Sequence, residues 1–122
     1  MVQRNIEIST CRGITMSTDI EVLIKQFNRE IIKGYESTKR ECGYNATRFI
    51  QDVSRNGGYA VAKKLIRKSG ASDGFTKLWE FHRLDLSVEA LVLRPEFYPL
   101  FSEEERQMCR KRLEQYGYIN NA

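Results

Sequence analysis

One periodicity constrains this chain more than any other feature. Ile20, Leu23, Ile24, Phe27, Ile31, Tyr35, Thr38 and Cys42 recur at steps of three and four residues, which places them along one face of an amphipathic helix. Ser17, Thr18 or Asp19 can cap its start, and Gly43 can take the left-handed position at its end. The spacing predicts a helix of about 24 residues whose apolar stripe other elements have to cover.

The elements that follow are also helical. Asn45 reads as the cap of a second helix that runs to about residue 55 and buries Phe49, Ile50 and Val53. Asn56, Gly57 and Gly58 stop it, because glycine reaches positive φ at little cost. A third helix, from about Gly58 to Arg67, turns Val61, Leu65 and Ala62 inward. Residues 69 to 74 read as a loop, with Ser72 or Asp73 poised to cap a short fourth helix carrying Phe75, Leu78, Trp79 and Phe81. Asp85 is expected to cap a fifth helix that presents Val88, Leu91 and Val92 and ends at Pro95.

The last helix is announced by Ser102, Glu103, Glu104 and Glu105, a capping box with acids at the positive end of the dipole. Arg110, Lys111 and Arg112 follow towards the negative end, and Gly117 closes the helix. Met108, Leu113 and Tyr116 are its expected inner stripe, with Phe97, Leu100 and Phe101 plugging the end of the bundle. Together these predict an all-α, compact bundle of five to six helices with one long N-terminal helix, forming a single helical domain over residues 17–122. A short irregular arm, residues 1–16, precedes it; Ile6 and Ile8 alternate there as in a strand, and Met16 offers a second start.

Composition narrows the class. A chain of 122 residues, 41% hydrophobic and 30% charged, fits one globular core. No apolar run approaches the length of about 18 residues that a membrane span needs. The N-terminus shows neither a basic leader nor an apolar h-region, so a cytoplasmic protein that does not engage the membrane is expected. Cys11, Cys42 and Cys109 are far apart, odd in number and without CxxC spacing, which argues against a disulfide framework and against zinc. No cofactor and no metal are expected.

Two groups of residues can carry chemistry. On one continuous helix, His82, Asp85 and Glu89 would share a face and could serve as acid and base or hold a metal. The competing reading ends one helix at His82, starts another at Asp85 and pairs Arg83 with Asp85, so that the stretch around them is core; this is the preferred one. The second group follows from charge. Residues 45–84 hold eight basic and three acidic residues, a net of +5, whereas residues 85–122 hold five and seven, a net of −2. Lys63, Lys64, Arg67 and Lys68 fall at helical steps as a ridge for phosphates, and Arg48 and Arg55 extend it. Tyr59 lies near to stack, and Gly57 and Gly58 can add backbone N–H groups at a helix N-terminus.

Several blocks along residues 43–118, GYNATRFIQDV, GGYAVAKKLI, GFTKLWEFHRLDLSVEALVL, PEFYPLF and RLEQYGY, resemble a widespread group of small uncharacterised bacterial helical proteins. The resemblance implies a bacterial or phage origin and a compact accessory protein, and it carries no catalytic residue across. Enzyme motifs are missing from the chain. GGYAVAKK lacks the GxxxxGK[ST] spacing of a phosphate loop, and neither GxSxG nor HExxH occurs. Helix, Gly-Gly, helix over residues 45–67 resembles a helix-turn-helix in outline, yet AVAKKLIRK offers no Asn or Gln for base edges. The expected function is therefore a non-catalytic accessory or inhibitory interaction protein that acts by binding a macromolecular partner, a protein or a nucleic-acid backbone, with a phosphate-backbone-binding module on the basic face of residues 45–84 as the alternative. A homodimer through the long helix is a further expectation.

Overall fold

A computed structural model describes the backbone of residues 15–118 and the side chains of residues 19–118. It is all-α. Six α-helices and two 3-10 segments follow in order: α1 (Thr15–Cys42), α2 (Thr47–Asn56), α3 (Gly58–Arg67), α4 (Asp73–Glu80), a 3-10 turn (Leu84–Leu86), α5 (Val88–Val92), a second 3-10 segment (Pro95–Leu100) and α6 (Glu103–Gln115). Most of the expected arm and Cys11 lie outside the described residues.

The long helix forms as its periodicity predicts, and it is already helical at Thr15, the first described residue, so none of Ser17, Thr18 and Asp19 caps its start. Phe27 and Ile31 are almost wholly buried, and Ile20, Leu23 and Ile24 pack half-buried beside them. Gly43 ends the helix at φ 67°, in the left-handed region its position called for. The α1 stripe lies against α3, α5 and the Pro95–Leu100 segment. At the centre, the Phe27 ring meets Phe97 edge-on at 5.2 Å and Phe101 at 5.3 Å, so these residues plug the bundle end as expected. Each such side chain withdrawn from water contributes about 1.5 to 3 kcal/mol.

α3 is the axis of the fold, and neither of its ends is finished by its own sequence. Its N-terminus starts directly after Gly57, at φ 88°, with no side-chain cap from that residue. The cap comes from α1 instead: the Tyr59 N–H donates to Asn28 Oδ1 at 2.9 Å. This contact needs Gly58, where an added Cβ would stand 3.0 Å from Asn28 Oδ1 and 3.1 Å from Ile31 Cδ1. Along its length α3 buries Val61, Ala62 and Ile66, so Ile66 takes the place expected for Leu65, which is half-buried.

Four local expectations change. Asn45 does not cap α2; Ala46 occupies that position without a side-chain bond, and Asn45 Oδ1 accepts from the Tyr35 hydroxyl at 2.7 Å. Ser87, not Asp85, caps α5, accepting from the Ala90 N–H at 3.1 Å and donating to the Leu84 carbonyl at 2.6 Å. Trp79 is 45% exposed rather than core, because an eight-residue helix has only one inner face and Phe75 and Leu78 fill it. In α6 the inner stripe is Glu105, Cys109 and Leu113, with Met108 half-buried. Ser72 and the Ser102–Glu105 capping box form as predicted.

Candidate functional site

Ion pairs that cross the bundle tie α6 to α3 at Glu105 and to α5 at Arg112. Glu105 closes the capping box by accepting from the Ser102 N–H at 2.9 Å, and its side chain is 3% exposed. It also receives Lys63 at 2.9 Å and Arg67 at 3.2 Å. Burial raises the pKa of this carboxyl, but the Lys63 ammonium, the Ser102 N–H and the Arg67 guanidinium outweigh it, and the net shift is downward. Two turns on, Arg112 donates to Glu89 of α5 at 2.9 Å, with both side chains almost sealed from water. The same guanidinium donates to the carbonyls of Leu65, Ile66 and Lys68, capping the C-terminus of α3. Between these pairs, burial and the nearby Glu89 carboxylate push the Cys109 thiol up to about 12, which leaves it protonated at neutral pH.

Next to these pairs, and sharing Arg67 and Glu89 with them, an open groove of about 1410 Å³ runs between the second half of α1, the start of α2, α3, the α3–α4 loop and α5. Its floor carries Tyr44, Phe49, Leu65, Ala71, Leu86 and Val88, apolar side chains that the core only half covers. Basic and acidic groups share its rim, and all the lining acids except the exposed Asp73 are held by cations of the protein. Glu30 is bound by Lys33 and Arg94, and those contacts set its pKa low against the opposing effect of burial. Asp52 is bound by Lys64 at 2.6 Å, and this contact together with the hydrogen bond from Asn56 holds the Asp52 carboxyl below its ordinary pKa. Asp85 is held by Arg83, and Glu89 by Arg112.

The structure separates the basic residues read from the sequence into two sets. Arg48, Lys64, Arg67 and Lys68 line the groove. Arg55 is exposed outside it, and Lys63 faces Glu105, with its ammonium 5.6 Å from the Tyr59 ring centre. Tyr59 is engaged as well: its hydroxyl donates to the Leu100 carbonyl at 2.7 Å and its ring packs against Phe27 and Phe101. The N-terminus of α3 cannot serve as the expected phosphate cradle, since Asn28 already accepts from it and Gly58 is buried. Arg48, Arg55 and Lys68 form no ion pair with a described side chain.

His82, Asp85 and Glu89 do not share a helix face. His82 sits exposed just beyond α4 at φ 58°, a left-handed conformation that breaks the helix. Asp85 lies in the 3-10 turn, where Arg83 takes it at 3.1 Å and also reaches Glu41, the pairing the sequence suggested. Glu89 lies in α5 beneath Arg112. Among the described residues, no three His, Cys, Asp or Glu side chains converge as metal ligands, and no helix is long and apolar enough to cross a membrane.

Sequence reasoning missed Asn28, Glu89 and Arg112 as structural anchors. Asn28 carried the one readable signal, a polar residue between the inward-facing Phe27 and Ile31. The fold and the groove define a small all-α protein with a partly apolar cleft rimmed by both basic and acidic groups. In comparisons with known proteins, no family model, no curated protein and no solved structure matches this chain.

Proposed function

We propose that this chain is a non-catalytic interaction protein, an accessory or inhibitory subunit, whose macromolecular partner lies in the groove between α1, α2, α3 and α5. The groove itself carries the reading. Its volume of about 1410 Å³ exceeds the roughly 300 to 1,000 Å³ of small-molecule pockets, and those pockets enclose their ligands while this one stays open. Its lining supplies shape, apolar area and charge rather than an activated nucleophile. Cys109, a candidate nucleophile by residue type, is buried and protonated on another face. Action by occupancy fits these features better than catalysis.

The test uses isotope-labelled intact protein and two sets of probes: 12-residue peptides selected on it from a random displayed library, and 12-nucleotide DNA and RNA strands. Amide shifts centred on Gly34, Gly74 and Leu86, which line the groove, are the expected result for at least one set. Shifts centred instead on Trp79 and Phe81, or no binding by either set, overturn the reading.

A further inference from the structure

We infer that the occupant of the groove is an acidic protein segment with apolar side chains, not a nucleic-acid strand; this rests on the groove being the partner site. Charge complementarity is the first argument. Of the lining acids, Glu30, Asp52, Asp85 and Glu89 are each bound by a cation of the protein itself, and Asp73 alone has no ion pair among the described side chains, whereas two lining cations, Arg48 and Lys68, have none. Arg67 adds a guanidinium whose side chain is 67% exposed although one of its nitrogens touches Glu105. The field left over is positive and faces the cleft, which favours carboxylates arriving from outside.

The floor decides between the two polyanions that such a field attracts. Leu65, Ala71, Leu86 and Val88 give the floor aliphatic surface, and the rings beside them, Tyr44 and Phe49, are only partly exposed, which suits Leu, Ile or Met side chains of a peptide. A nucleic acid held by its backbone gains nothing from such a floor, and bases need exposed aromatic faces to stack on. The most exposed aromatic rings, Trp79 and Phe81, are not part of the groove lining. Length agrees with a short segment. Along α1 the lining runs from Glu30 to Thr38, about 12 Å at 1.5 Å per residue, or roughly two turns of a docked helix.

The composition of the selected peptides tests this directly, beside the charge-reversed variant Arg48→Glu/Lys68→Glu. Both side chains are exposed and form no ion pair among the described residues, so the variant is expected to melt with the parent, and melting is measured first. Peptides enriched in Asp and Glu together with Leu, Ile or Met are expected. They should bind the variant at least about tenfold more weakly and lose affinity as salt rises. Groove-bound peptides without acidic enrichment, or with affinity unchanged in the variant, overturn the acidic assignment while leaving the groove as the site. Groove shifts from the oligonucleotides and not from peptides overturn it in favour of a nucleic acid. No groove shifts from either set overturn the underlying site as well. If the variant fails to fold, Arg48→Gln alone and the salt series supply the same comparison.

Discussion

At the scale of single residues, the apolar core is joined by a few charged groups withdrawn from water. Arg112 neutralises Glu89 and caps three carbonyls of α3, with only 10% of its side chain exposed. Replacing one partner of such a pair leaves an uncompensated charge inside, which costs about 3 to 5 kcal/mol. Arg112→Met should lower stability by that amount in urea unfolding. In the double variant Glu89→Gln/Arg112→Met the loss should fall short of the sum of the single losses by about 1 to 3 kcal/mol, because the stranded carboxylate is gone. A loss under 1 kcal/mol for Arg112→Met would show that water reaches the pair. Glu105 gives a pH signature. Its folded pKa lies below its unfolded value of about 4.3, so the stability it adds is complete above that value and fades as pH falls through the folded pKa. The gap between the parent and Glu105→Gln should therefore be constant from pH 7 to about pH 5.5 and shrink below about pH 4. A gap that widens in acid contradicts the assignment.

At the scale of elements, what could be read from the sequence was whatever the chain states locally. The α1 stripe, the Ser72 cap, the Gly-Gly break at the boundary of α2 and α3 and the Ser102–Glu105 box are local statements, and all four stand in the structure. Asn45 and Asp85 are local statements that lost to nearer competitors: the Tyr35 hydroxyl claims the first, and Arg83, with Ser87 two residues on, leaves the second no cap to make. The ends of α3 could not be read at all, because Asn28 is 31 residues from Tyr59, and Arg112 is 44 to 47 residues from the carbonyls it binds. The basic ridge was legible as composition, but which cations remain free depends on where Glu105 and Asp52 fold, so only part of the site was legible. That long-range cap is measurable. Asn28→Ala should cost about 1 to 2 kcal/mol by removing the acceptor for the Tyr59 N–H, and Asn28→Asp, which keeps an acceptor at a helix N-terminus, should stay close to the parent. Gly58→Ala should cost about 1 to 3 kcal/mol by forcing α1 and α3 apart, whereas Gly74→Ala, with no atom nearer than 3.9 Å to the new carbon, should not. Equal melting of the two glycine variants would refute the tight approach.

Across the whole molecule, the net charge of +4 says less about partners than where the cations are already committed. The long helix illustrates the same economy: Phe27 and Ile31, the stripe that could have paired with a second copy, are buried against the chain's own helices. For a polyanion such as duplex DNA, counterion release makes the logarithm of affinity fall with the logarithm of salt at about 0.9 per phosphate neutralised. Six cations acting together, Arg48, Arg55, Lys63, Lys64, Arg67 and Lys68, would give a slope of about −5. Lys63 and Arg67 are bound to Glu105 and Lys64 to Asp52, so of these six only Arg48, Arg55 and Lys68 have no ion pair among the described residues, and the slope should be close to about −3. Fluorescence anisotropy with a labelled duplex between 20 and 200 mM salt, about a decade, measures it. A slope near −3 means that the internal pairs survive contact with the duplex and that DNA sees only a weak, nonspecific surface. A slope of −5 or steeper would mean that Glu105 and Asp52 release their cations to phosphate. Because Glu105 is sealed beneath Lys63 and also ties Ser102, that release would have to loosen α6 from α3, and hydrogen exchange along α6 would rise on binding. The acidic-segment inference requires the shallower slope together with unchanged exchange in α6, since its carboxylates meet cations that are already free.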